Sequence, residues 1–163
     1  MSRIAIDAAP LRMAARFCSA SALLVAAAIT SGGALADGPS AAGQWRQIDD
    51  RTGEIRSIIT IVERSGSFHG RVTQIFPRPG EQPNPTCSAC AGELRNAPVL
   101  GFPVLSGLKR DGQEYSGGTI IDPESGSTYR ARMTLSEDGR KLEVRGFIGV
   151  SLFGRSQTWA RAQ

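Results

Sequence analysis

The 163-residue sequence has a single histidine and three cysteines, and each scarcity removes a class of function. A structural zinc site wants four ligands. Beyond residue 36 the chain offers only Cys87, Cys90 and His69, the last well upstream in a different candidate strand, so no metal site or cofactor is expected within one chain. A Ser-His-Asp triad needs three side chains in mutual reach, and no Gly-x-Ser-x-Gly elbow is present to position a serine, so no catalytic residue is assigned. Lysines and arginines are scattered singly, without a cluster or interleaved aromatics, which excludes the charged stacking groove of a nucleic-acid binder. No segment of the mature region keeps a helical period. The one long apolar run falls short of the ~20 residues that cross a bilayer, so an integral membrane protein is not expected.

That run belongs to the N-terminal segment. Arg3, Arg12 and Arg16 precede an apolar stretch over 17–30, and Ala34-Leu35-Ala36 follows it. A basic region, a short hydrophobic core and an Ala-x-Ala site specify a secretory signal peptide over 1–36, cleaved after Ala36. Cys18 leaves with it. The expected location is periplasmic or secreted, with a short leader over 37–42 and one domain over 43–163. Removing Arg3, Arg12, Arg16 and Asp7 lowers 19 basic and 15 acidic residues to 16 and 14, and the net charge from +4 to +2. The sequence pI of 9.4 therefore overstates the basicity of the mature protein.

What remains reads as strand, turn, strand. Candidate strands cover 43–48, 54–63, 67–76, 114–121, 127–136, 141–148 and 155–160. Turn signals separate them, among them Arg110-Asp111-Gly112, Asp122-Pro123-Glu124-Ser125-Gly126 and Asp138-Gly139, which supply the positive φ and fixed proline φ of tight reversals. Tyr129, Ala131, Met133 and Leu135 alternate with Arg130, Arg132 and Thr134, placing one face in a core. Seven short strands at close spacing mean an all-β sandwich or barrel.

Residues 77–108 interrupt this pattern with a proline-rich loop and then an apolar stretch punctuated by Gly and Pro; only 91–96 suggests a single helical turn. Long loops of this kind are often functional, and this one holds both mature cysteines. In an exported chain two cysteines oxidise and allow one pairing, so a Cys87–Cys90 disulfide is expected, contributing about 2 kcal/mol. A thiol-redox role or a metal site shared between chains stays open as an alternative.

Gly43-Gln44-Trp45 opens the first strand, and Arg155 and Arg161 flank Trp159 in the last. This pairing resembles lipocalin-like barrels, where a terminal arginine lies across the first-strand indole and closes one end; Arg155 or Arg161 is expected to do so against Trp45. Together with Asp50-x-Thr52-Gly53, PVLGFPVLSGL at 98–108, GGTIIDPESGSTY at 117–129 and VRGFIGVSLFGRSQTW at 144–159, these segments resemble the exported bacterial family DUF2147 over essentially all of 43–161. The resemblance implies a small antiparallel lipocalin-like β-barrel with one long Pro-rich loop, located in the periplasm, and brings no reaction with it.

Small barrels are either packed or cupped around one ligand. Tyr115, Tyr129, Arg130, Arg132, Arg145, Gln157 and Trp159 are the candidates for a cup, although Arg130 and Arg132 alternate onto the face opposite Tyr129. The leading reading is a non-catalytic module that binds a small apolar, amphipathic or lipid-like ligand or an envelope component. A second is a protein-interaction or envelope-stress factor acting through 98–108, with Phe102 and Leu105 in contact with an envelope protein partner.

Overall fold

The computed structural model describes residues 38–162; the expected signal peptide and its cleavage site lie outside the described residues. Eight strands form one closed antiparallel barrel in chain order: β1 (Gly43–Ile48), β2 (Ile55–Arg64), β3 (Ser67–Ile75), β4 (Pro103–Asp111), β5 (Glu114–Ile121), β6 (Thr128–Leu135), β7 (Lys141–Phe147) and β8 (Gly154–Arg161). Trp45 pairs with Arg161 and Arg46 with Ala160, so β1 meets β8 and no sheet edge is left. The expected helical turn in 91–96 is a single 3-10 turn, Gly92–Leu94.

Strand β4 corrects the reading of 77–108 as one continuous irregular segment. Its apolar residues do not alternate, because Gly107 takes φ 74° and Gly117 in the neighbouring strand takes φ 80°. The ladder between β4 and β5 skips from Ser106–Thr119 to Lys109–Ser116, a pair of opposed bulges. Across it Leu105 faces Gly70 and Leu108 faces Phe68, so residues three apart both point inward. A Cβ on Gly118 would overlap the Ser106 carbonyl and Leu108; only glycine lets the strands approach so closely here.

The core is the barrel interior. Trp45, Trp159, Tyr115, Phe68, Leu108, Met133, Leu135 and Leu142 are fully buried and fill it. One end is sealed by the leader: the Ala41 amide donates to Tyr115 Oη (2.9 Å) and Trp45 Nε1 donates to the Ala41 carbonyl (2.8 Å). Arg161 donates to the carbonyls of Ser40, Ala42 and Gly139, and Arg110 to that of Pro39. The opposite end carries the connections 49–54, 76–102, 122–127 and 148–153 and is called the mouth below.

Candidate functional site

Inward-facing positions change character along each strand toward the mouth. In β1 buried Trp45 gives way to half-buried Gln47. In β6 buried Met133 and Ala131 give way to Tyr129, and in β8 Trp159 gives way to Gln157 and then to exposed Arg155. Ile120 and Gly146 complete this level. An added Cβ on Gly146 would lie 3.1 Å from Ile120 Cγ2 and 3.5 Å from Tyr129 Cβ, so the absence of a side chain lets Ile120 and Tyr129 pack directly over the β7 backbone. The inward-facing side chains are therefore fully buried toward the sealed end and become polar and part-exposed at the mouth, a ring of residues called the cup below.

One wall of the cup is polar and internally hydrogen-bonded. Ser57 Oγ donates to Gln47 Oε1 (2.7 Å), Gln47 Nε2 to Gln157 Oε1 (3.3 Å), and Trp159 Nε1 approaches the same oxygen at 3.5 Å. A buried hydroxyl and indole N–H need such partners. The chain of amides also fixes the glutamines, leaving their remaining groups directed by geometry. Arg155 stands at the rim, 76% exposed, paired with Asp50 at 3.1 Å.

Among the cup candidates, Tyr129, Gln157 and Trp159 come together here. Tyr115 lies at the sealed end, where its hydroxyl serves the leader. Arg130, Arg132 and Arg145 are on the outer face, as the alternation with Tyr129 and Ala131 requires. Arg132 lies 3.7 Å from Glu114, and its Nε has no hydrogen-bond partner. Arg145 donates to Ser156 Oγ and to the carbonyls of Ser151 and Leu152. Arg132 and Arg145, with Glu114 and Glu143, line an external hollow of about 350 Å³ whose balanced charges give it no preference for an anion. Of the two closure candidates, Arg161 covers Trp45, its guanidinium carbon 4.3 Å from the ring centroid, whereas Arg155 is at the other end of β8.

Phe102 and Leu105 are each 1% exposed. The proposed contact surface over 98–108 is corrected accordingly: Leu105 on β4 and Phe102 immediately before it both turn into the core, where a partner does not reach them. Cys87 and Cys90 form the expected disulfide and are buried, joining the core cluster with Phe102. Gly126, at φ 69°, packs its Cα side directly on the backbone of Ala89 and Cys90, so the clipped loop is seated against the β5–β6 connection. Among the described residues no three His, Cys, Asp or Glu side chains gather as a metal site. His69 faces outward, its Nδ1 3.3 Å from Ser106 Oγ.

Gln47 and Ser57 were missed from the sequence; they share the register pair Gln47–Ser57, and the inward phase set by Trp45 two residues earlier is the signal that points to Gln47.

The family model described as "Uncharacterized protein conserved in bacteria (DUF2147)" matches residues 43–161. Among solved structures, protein HP1028 from the human pathogen Helicobacter pylori, described as belonging to the lipocalin family, is similar at a TM-score of 0.65 and 21% identity. The alignment covers 76% of this chain and 84% of that one, a likeness of fold. No curated protein matches the sequence.

Proposed function

The chain belongs to the DUF2147 family of bacterial proteins, and on that footing we propose that it is an exported, non-catalytic lipocalin-like module that holds one end of an amphipathic molecule in the mouth of its barrel. The carrying observation is the gradient of the inward-facing residues, from fully buried Trp45, Met133 and Trp159 to half-buried Gln47, Tyr129 and Gln157. At the end where these inward positions reach solvent they carry amides and a phenol instead of aliphatic side chains. Ligand sites pair an apolar wall with a few placed polar groups; here Tyr129 and Ile120 supply the wall, Gln47 and Gln157 the polar groups, and Arg155 a cation at the rim. The cup is shallow, so it suits a chain end or ring and not a wholly enclosed ligand. Export through cleavage after Ala36, the leader over 37–42 and the domain over 43–163 are part of the same proposal, which places the ligand among envelope components.

The test uses the amphipathic dye 1-anilinonaphthalene-8-sulfonate and the fluorescence of Trp159 beneath the cup. Saturable binding that weakens about tenfold or more in Gly146→Ala, whose methyl presses on Ile120 at 3.1 Å and displaces the apolar wall, and in Gln157→Leu supports the reading. Absence of saturable binding to the wild type, or equal binding by both folded variants, removes it.

A further inference from the structure

Seven of the eight large apolar residues left exposed among the described residues lie at the mouth end: Ile55, Phe76, Leu100, Ile148, Val150, Leu152 and Phe153, with only Val62 elsewhere. The four in the β7–β8 connection are the most exposed, from 61% at Val150 to 80% at Leu152. They occupy four of the six residues from 148 to 153, a segment without a charged side chain. We propose that this connection is a finger that enters the interfacial layer of a lipid bilayer, an inference that goes beyond the cup and stands without it.

The backbone of the finger carries the argument. Every carbonyl from Gly149 to Phe153 accepts a hydrogen bond from the protein. Arg130 Nη1 donates to Gly149 O (3.2 Å), and the Phe153 amide to Val150 O (3.1 Å). Arg145 donates through Nε to Ser151 O (2.7 Å) and through Nη2 to Leu152 O (3.3 Å). The Ile148 amide closes the set on Phe153 O (3.3 Å). These bonds hold the turn in one shape and spare its carbonyls the cost of losing water, while the amides of 149–152, which make no such bond, are left to the water and headgroups of the interfacial layer. Two arginines of the outer face thus brace a turn whose apolar side chains are held outward.

The size and charge of the finger select the occupant. Its four apolar side chains expose on the order of 500 Å², less than the roughly 800 Å² per partner of a stable protein interface, yet ample for insertion into a headgroup layer. Around its base Arg132 and Arg145 are balanced by Glu114 and Glu143 and Arg155 by Asp50, so Arg130, bound to the Gly149 carbonyl, leaves a positive excess of one that favours an anionic surface.

Co-sedimentation with vesicles of phosphatidylcholine containing phosphatidylglycerol tests this. The wild type pellets with them, more strongly as the phosphatidylglycerol fraction rises, while Leu152→Ser/Phe153→Ser binds about a hundredfold more weakly. Near-ultraviolet circular dichroism checks that the doubly substituted barrel is folded, as expected for two exposed positions. Gln157→Leu retains vesicle binding, which separates the finger from the cup. Failure of the wild type to pellet, or equal pelleting by the double variant, overturns the proposal. So does lipid-free dimerisation of the wild type that the double variant abolishes in sedimentation velocity, since it assigns the finger to a second copy of the chain.

Discussion

The Arg161 guanidinium lies 4.3 Å from the centroid of the Trp45 ring, on the residue that directly opposes Trp45 where the last strand meets the first. The same group donates to three carbonyls, two from the leader and one from the β6–β7 turn. Barrel closure and leader docking therefore depend on one side chain. Arg161→Ala forfeits the stacking and leaves carbonyls without donors, and is expected to lower unfolding free energy by about 2–4 kcal/mol in urea. Arg161→Lys recovers only part, because an ammonium lacks the planar fork. Arg155→Ala, which removes an exposed ion pair, changes stability by about 0.5 kcal/mol or less. Equal losses at 155 and 161 contradict this assignment.

Leu105 sits on β4 between Gly70 and Ile120 and is fully buried. Leu105→Ser removes the packed side chain and buries a hydroxyl in its place. The expected loss is about 3–5 kcal/mol, read as a large fall in the midpoint of urea unfolding. Wild-type stability in this variant contradicts the interior placement and restores the segment as a surface.

Strand β1 is as the sequence suggests, residue for residue, because Gly43-x-Trp45 marks its start and an aspartate-rich turn its end. The clean alternation of β6 puts Arg130 and Arg132 on the face opposite Tyr129 and Ala131, but it is the structure that shows this face to be the outer one, against their candidacy for the cup. Strand β4 was not legible, and the reason is physical: the Gly107 bulge shifts the phase by one residue, so Leu105 and Leu108 share a face that a period of two assigns to opposite sides. Pro103 and Gly101 disguise its start further. In the cup, Gln157 is inward and Arg145 outward, a distinction invisible to hydropathy because both are polar. The role of Arg145 as a brace on the β7–β8 connection depends on backbone carbonyls, which no side-chain pattern encodes.

Cys87 and Cys90 enclose a short loop whose neighbours are already tied. The Cys87 amide donates to Ala97 O (2.9 Å), the Asn96 amide to Cys87 O (2.8 Å) and the Val99 amide to Pro85 O (2.8 Å). Cys87→Ser/Cys90→Ser is therefore expected to cost about 2 kcal/mol of stability, with the barrel intact. Limited proteolysis should show new cleavage confined to 77–100. A variant that no longer folds, or one with wild-type proteolytic resistance, contradicts the reading of the bond as a clip on this loop.

Arg78 ties the long loop to the β1–β2 turn, its Nη2 2.7 Å from Asp49 and its Nε 3.0 Å from Glu54, while Arg56 holds Glu81 at 2.7 Å. The Arg78 hydrogen bond, with those from the Arg51 and Thr52 amides, pulls the Asp49 carboxyl far below its ordinary value of 3.8. The Arg78 amide, followed by the Arg56 side chain, pulls Glu81 below its ordinary 4.5. A carboxyl with a depressed folded-state pKa stabilises the fold above its unfolded value, and that contribution disappears as pH falls toward the folded one. The mouth-end loops should thus be held fully above about pH 5 and loosen progressively below about pH 4. Asp49→Asn removes the titrating charge, so its midpoint of thermal unfolding lies below that of the wild type at pH 7, and the two curves converge as the pH is lowered. Curves that stay parallel down to about pH 2 exclude Asp49 as a source of the acid sensitivity. Convergence accompanied by proteolytic opening of 77–100 in acid locates the linkage in the pair of loops that Arg78 joins.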